Sequence, residues 1–331
     1  MTAPIEATGS EAEAQPEAVL AGIDRKAIQG RSLGQIAWLR LKRDKVAMAG
    51  GIMVVLLILM AVVGPFLVSD PDQPHTDLID PTLSRPKTGI MHSGISADHW
   101  FGVDLPAGRD IFARIVHGAQ YSLLISFLAT MLAVVIGVTL GVIAGYFGGW
   151  VDTIIARAMD IFLAFPLLLF AIALVGVFPY SAFGLSGNGL RVAFLIFVIG
   201  FFSWPYTGRI IRGQTLSLRE REFVDAARSM GARAPYILFR ELLPNLWAPI
   251  LVYATLMIPT NIIFEASLSF LGVGIIPPTP SWGGMMNEAK EVYEVAPHFM
   301  FFPGMAIFIT VLAFNLFGDG LRDALDPRSS R

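Results

Sequence analysis

The chain has 331 residues, of which 54% are hydrophobic and only 15% charged, with a mean hydropathy of +0.63. A soluble domain carries about 25% charged residues, so this balance excludes an ordinary water-soluble enzyme and points to a helical protein that crosses a membrane several times. The net charge of −2 decides nothing by itself, and the absence of cysteine excludes a disulfide framework, a thiol nucleophile and a zinc-finger site.

Residues 1–30 are polar, rich in Ala, Glu, Pro and Gly, and lack an apolar period, so they read as a disordered cytoplasmic tail. No secretory signal is expected, because the first apolar run starts near Val46 and is too long for an h-region. Residues 32–45 are amphipathic. Leu33, Ile36, Ala37 and Leu41 are expected to face lipid, with Arg40, Lys42, Arg43 and Lys45 at the head groups. Such a basic cluster also fits a nucleic-acid patch, but it abuts a membrane span, and no nucleic-acid partner is expected. Residues 46–68 form 23 uncharged positions, enough for a hydrocarbon core of about 30 Å. Residues 69–118 are polar and Asp-rich, which makes 31–118 one unit of amphipathic segment, first span and long external loop.

Further apolar spans are expected at about 121–145, 154–178, 190–211, 247–271 and 299–317, within a core of 119–318 followed by a tail at 319–331. Six spans put both ends on one side. That side carries eighteen Lys and Arg against six on the other, which places it in the cytoplasm. Arg157 and Asp160 lie three apart near the inner end of the third span and are expected to pair on one face, sealing a helix contact or lining a path. Glu265 lies one turn after Asn261 in the fifth span. A carboxylate there costs about 2.5–3.5 kcal/mol on insertion scales, so it either lines the path or is a packed, hydrogen-bonded group. Pro205 and Pro259 interrupt two spans and are candidate bend points.

The longest charged segment of the second half is 217–244, inside a cytoplasmic loop of 212–246. Ser217 and Glu220 read as a capping box. Phe223, Ala226, Ala227 and Met230 then recur at helical spacing as an apolar stripe. Gly231 sits where a left-handed cap is expected. Pro235 opens a second short helix and Pro244 closes it. The expected product is a helical knob with a mixed-charge rim, although the segment also fits an ordinary polar loop.

Three stretches carry a resemblance. Asp225-Ala226-Ala227, Gly231 and Leu243-Pro244 match the spacing of the EAA signature of ABC importer permeases, with Asp225 for its Glu and Glu241 for its Ile; Leu242 stands beside the latter. Residues 99–123 resemble the entry to the core of the dipeptide and oligopeptide permeases, with Val103 and Ala113 for the usual Thr and Ser. Residues 277–283, PPTPSWG, and 318–328, GDGLRDALDPR, are similar to the C-type permease subunit of that family. Trp282 by its residue type suits an interfacial position. Arg109, Asp110 and Arg114 are either a local ion-pair patch or part of transport.

The resemblance implies a type I ABC importer permease fold, all-α with six transmembrane helices in the cytoplasmic (inner) membrane. It implies a second homologous permease, one or two ATP-binding cassette ATPase subunits and an extracytoplasmic solute-binding protein. Glu222, Asp225, Ala226, Ala227, Gly231, Leu243 and Pro244 become ATPase-coupling residues. Di- or oligopeptides lead as cargo, with nickel, glutathione or oligosaccharides as alternatives within the family. The chain has no Walker A loop, no HExxH and no G-x-S-x-G. Catalysis is therefore not expected in it, no metal or cofactor is assigned to it, and ATP with Mg belongs to the partner subunits. Two other classes stay open: an ion-gradient transporter using Glu265 or Asp160, and a membrane anchor for a soluble enzyme.

Overall fold

The computed structural model describes residues 33–80, 85–89, 93–177, 181–182 and 184–326. The tail at 1–30 and the last five residues lie outside these. Helix α1 (Leu33–Arg43) runs into α2 (Lys45–Val63) at Asp44. The Asp44 carboxylate accepts from the backbone N–H of Val46 at 2.9 Å and of Ala47 at 3.0 Å, an N-cap that satisfies two otherwise free donors. Helix α2 is apolar on nearly every side, and Val46, Ile52, Val55, Leu56 and Val62 are more than half exposed. Such a helix belongs in lipid. In the segment between α2 and α3, Ile79–Asp80 pairs antiparallel with Arg85–Pro86, and Val103 bridges Asp110.

Helix α3 (Ile111–Phe147) is followed by α4 (Gly149–Ala164), α5 (Leu167–Val177) and α6 (Gly187–Arg219). A small helix, α7 (Glu222–Ser229), and a helical stretch at 234–245 lead into α8 (Trp247–Phe270). Helix α9 (Trp282–Ala289) and α10 (Pro297–Leu325) complete the chain. Among the described residues five helices, α2, α3, α6, α8 and α10, are long and apolar enough to cross a membrane, and α4 with α5, bent by 75°, brings the number to six if that pair is one span. The end carrying residues 69–110 is called the loop end below, and the end carrying α7 the knob end.

The centre is the crossing of α3 and α6, and small residues make it possible. A Cβ on Gly137 would lie 2.8 Å from the Trp204 carbonyl, and one on Gly141 2.7 Å from that of Gly208. A Cβ on Gly145 would lie 2.6 Å from Thr215 Cβ. The α2–α10 contact uses the same device, with Gly50 against Ala313 and Gly320 against Ala47.

Several sequence expectations are corrected. The helix that contains the span expected at 121–145 begins at Ile111, because Asp110 caps it there through the Ala113 N–H at 3.0 Å. The span expected at 154–178 is broken, because Pro166 disfavours helix at Phe165, whose ψ is 127°. Pro205 and Pro259 lie inside α6 and α8, which continue past them. In α1, Ala37 and Leu41 face protein rather than lipid: they pack with Ala47 and Ala324. Trp38 and Leu39 are the exposed pair. The side chains of Leu33 and Ile36 lie outside the described residues.

Candidate functional site

The knob is built on a small apolar core. Val224 and Ala227 of α7 meet Ile237 and Leu242 of the following stretch, all nearly inaccessible, with Tyr146 and Leu218 packed around them. Burying an aliphatic side chain contributes about 1.5–3 kcal/mol, so these few residues hold the two short helices together. Gly231 has φ +82°, the left-handed geometry expected of it. Its N–H donates to the Arg228 carbonyl at 2.9 Å and that of Ala232 to the Ala227 carbonyl at 3.0 Å, closing the α7 terminus.

The knob differs from the sequence reading in three ways. Ser217 does not cap α7: no Pro or Gly stands between Gly213 and Arg219 to end α6, so Ser217 lies inside it, and Arg221 takes the extended N-cap position without a side-chain bond. The apolar stripe is split between two faces. Ala227 points inward beside Val224, while Phe223, Ala226 and Met230 are exposed. Pro244 does not end the second helix. A π turn over Ile237–Leu242 and a last turn over Leu243–Asn245 carry the chain on to α8. Within that π turn Leu242 is buried and Glu241 only partly so, and Leu242 thus fills the apolar role.

The outward face of the knob is both apolar and charged. Met230 is 82% and Phe239 69% exposed, with Phe223 and Tyr236 nearby in sequence on the same two helical stretches. Glu222 and Asp225 stand in the first turn of α7, where acidic groups complement the helix dipole. Among the described residues Asp225 makes a long contact with Arg228, 3.3 Å. Pro244 is exposed and Leu243 half-buried against Leu246 and Ile250.

Deeper in the bundle, α3 and α8 face each other with polar rows at four-residue spacing. Ser122, Ser126 and Thr130 lie on α3, and Asn261, Glu265 and Ser269 on α8, all buried. The Asn261 amide donates to Thr130 Oγ1 at 2.8 Å, and the Ser269 hydroxyl to Glu265 Oε1 at 2.8 Å. Ser122 lies against the same carboxylate and accepts the Trp282 backbone N–H at 3.3 Å. Glu265 is inaccessible, and its Oε2 has no hydrogen-bond partner among the described residues. Trp282 is buried too, not interfacial, and its indole N–H donates to the Ile115 carbonyl at 3.0 Å.

At the loop end four charges converge. Arg114, fully buried, donates to Asp104 at 2.5 Å and to both oxygens of Glu288, at 2.8 and 3.0 Å. Arg109 donates to Asp104 at 2.7 Å and to Glu288 at 2.6 Å. Burial pushes the Glu288 carboxyl up, but the Arg114 and Arg109 bonds and charges outweigh it and hold it below the usual carboxylate range. Asp110 stands apart, bonded to His99 at 2.7 Å. The patch is thus not local: its anchor, Glu288, comes from α9. Sequence reasoning missed Glu288, although two arginines bordering an apolar span call for anions from elsewhere.

Toward the knob end, Arg157 and Asp160 do not seal a helix contact. They are 3.8 Å apart, 79% and 52% exposed, and Asp160 is held by Arg209 at 2.6 Å. Asp160 thus joins α4 to α6 through Arg209, and Asp152 of α4 does the same with Arg212 of α6, a two-pronged contact the sequence did not suggest. Thus Asn261 and Glu265 gather at the α3–α8 seam and the residues expected to couple lie at the knob, while Arg157 is exposed on α4 and Asp160 reaches across to Arg209.

Comparison with known proteins fits this architecture. Residues 137–331 match the family model of the binding-protein-dependent transport system inner membrane component. Residues 32–86 match the N-terminal TM domain of oligopeptide transport permease C. The glutathione transport system permease protein GsiD of Shigella flexneri serotype 5b (strain 8401) is 45% identical over 291 residues, covering 88% of this chain and 89% of its own. Its counterpart in Escherichia coli O6:K15:H31 (strain 536 / UPEC) is 44% identical over the same length. Among solved structures, a chain of the MetNI methionine ABC transporter in inward-facing conformations superposes with a TM-score of 0.52 at 19% identity. It covers 65% of this chain and 98% of its own length, a likeness of fold alone. The chain belongs to the binding-protein-dependent inner-membrane components of ABC importers, as a permease of the peptide and oligopeptide group.

Proposed function

We propose that this permease carries peptide-like solutes into the cytoplasm, with glutathione, a tripeptide, as the first cargo to test. The relatives at 44–45% identity are glutathione permeases by name, which supports this choice. The observation that carries the coupling role is the knob's outward face. Phe223, Met230, Tyr236 and Phe239 are exposed on the same two helical stretches that carry Glu222 and Asp225. An apolar patch rimmed by charge marks a protein contact. We assign it to an ATPase subunit, where ATP and Mg are bound; closure of two such subunits would move the knob and tilt α6 and α8, which it joins. The knob end then faces the cytoplasm, in agreement with the Lys and Arg distribution. The loop end receives cargo from a solute-binding protein.

The test is purification of the tagged chain from its native membrane in mild detergent, with mass spectrometry of what accompanies it. A second permease and one or two ATPase chains in fixed ratio support the reading. A chain that emerges alone overturns it. Uptake of labelled glutathione and of a dipeptide, each in competition with the other, then ranks the cargo.

A further inference from the structure

Helix α1 does not run straight on into α2. Asp44 between them has ψ 101°, extended backbone that ends one helix and starts the next. Ala37 and Leu41 pack with Ala324 of α10, and a Cβ on Gly320 would lie 3.5 Å from Leu41 Cδ1 and 2.0 Å from that of Ala47. The Arg40 guanidinium donates to the Asp326 carbonyl at 2.8 Å. Residues 37–47 would span about 15 Å of straight helix but meet only about 9 Å of α10, from 320 to 326. Helix α1 therefore lies across the end of α10, level with Val46, where the uncharged run of α2 begins.

The rest of α1 is open. Trp38 and Leu39 are 52 and 42% exposed, and Lys42, Arg43 and Lys45 follow within two turns, all exposed. Lys42 Nζ stands 5.6 Å from the centre of the Trp38 ring, so the two side chains form one unit with an apolar body and a cationic tip. Nothing nearby neutralises these charges. The Asp44 carboxylate is engaged by the Val46 and Ala47 N–H groups, and among the described residues Lys42, Arg43 and Lys45 have no ion-pair partner. Arg40 differs, because it is turned to α10 and is not one of the outward cations. An apolar pair beside three uncompensated cations, held at the depth where a span begins, is complementary to a phospholipid: acyl chain to the rings and aliphatic carbons, phosphate to the cations.

We propose that α1 is a binding site for an anionic phospholipid, with Lys42, Arg43 and Lys45 on its head group and Trp38 and Leu39 against its acyl chain. The test uses the full chain, purified from its native membrane in mild detergent with the chains that accompany it. It is titrated with phosphatidylglycerol or phosphatidylcholine, and lipid-bound species are counted by native mass spectrometry. One cation near an anionic surface is worth about fivefold in binding, so wild type should prefer phosphatidylglycerol by about tenfold or more. Lys42→Gln, Arg43→Gln and Lys45→Gln together should abolish that preference and leave phosphatidylcholine binding unchanged. The same change of charge on the knob, Arg221→Gln with Arg233→Gln and Arg240→Gln, should retain it. Equal binding of both lipids by wild type overturns the proposal. So does an equal loss in the two triple variants, which would make the preference a matter of net charge. Position is read separately in vesicles of mixed phosphatidylcholine and phosphatidylglycerol. Because the chain has no cysteine, Leu39→Cys carries a single bimane label. A lipid with a nitroxide on its head group should quench most of that fluorescence. An unquenched label would place α1 clear of the bilayer, and the proposal falls.

Discussion

Arg114 and Glu288 are 174 positions apart in the chain, yet the Arg114 guanidinium grips both Glu288 oxygens, at 2.8 and 3.0 Å. This bidentate contact ties the first turn of α3 to α9, and Asp104 and Arg109 complete it. Removing one member of a buried pair leaves the other uncompensated, at about 3–5 kcal/mol. Glu288→Ala should therefore lower the temperature at which the detergent-solubilised protein aggregates, by more than any exposed charge substitution does. A shift no larger than that of Asp160→Asn, an exposed pair worth at most about 1 kcal/mol, would show that the network is not holding the loop end together.

The same carboxylate sets a pH dependence. Its folded-state value lies below the unfolded one, so Glu288 contributes stability that is fully present above the unfolded value of about 4.3 and is lost as pH falls through the lower, folded value. Thermal stability should fall with acidification from about pH 4.3 downward. Glu288→Gln, which removes the titrating group, should be less stable at neutral pH and lose less on acidification. Parallel curves for the two proteins would contradict the assignment.

Gly231 closes α7 at φ +82° with nothing within 4 Å of an added Cβ, so any cost there is conformational rather than steric. Gly231→Ala should destabilise the knob by about 1–2 kcal/mol. Gly231→Pro should act more strongly, because its φ is fixed near −65° and the N–H bonded to Arg228 is lost. The protein should insert normally in the membrane and fail to transport. Wild-type uptake by Gly231→Pro would remove the coupling role from this turn.

Gly141 approaches Gly208 too closely for a side chain: its Cβ would stand 2.7 Å from a carbonyl oxygen. Gly141→Leu must push α3 off α6, at about 1–3 kcal/mol or more of overpacking. Reduced thermal stability is expected. Gly213, which has open space around it, serves as the matched control.

Glu265 separates an ATP-driven permease from an ion-driven one. Buried against Ser269 and Ser122, it keeps its acceptor oxygen when replaced by Gln. Uptake by Glu265→Gln should stay near wild type and insensitive to a collapsed proton gradient. Glu265→Ala, which strips the serine hydroxyls of their acceptor, should cost about 1–3 kcal/mol. Loss of uptake in the Gln variant with normal stability would favour ion coupling.

The class of the protein and the rough count of crossings follow from the sequence because hydrocarbon demands long uncharged runs, and such runs are local. Gly231 was legible for a similar reason: one residue type fits a left-handed cap. What local pattern did not decide was which way side chains point. Phe223, Ala226, Ala227 and Met230 share helical spacing, but the inward face was fixed by Ile237 and Leu242, which lie beyond a turn. Arg157 and Asp160 are close in sequence, yet Asp160 is bound by Arg209 because α6 passes beside α4. Glu265 gave away its cost but not its surroundings, since Ser122 reaches it from another helix and is itself bonded by Trp282. Composition and period fix which segments leave water. Only the tertiary structure decides which buried charges meet, because in a low-dielectric interior a partner must lie within bonding distance in space, and the chain can supply it from any position.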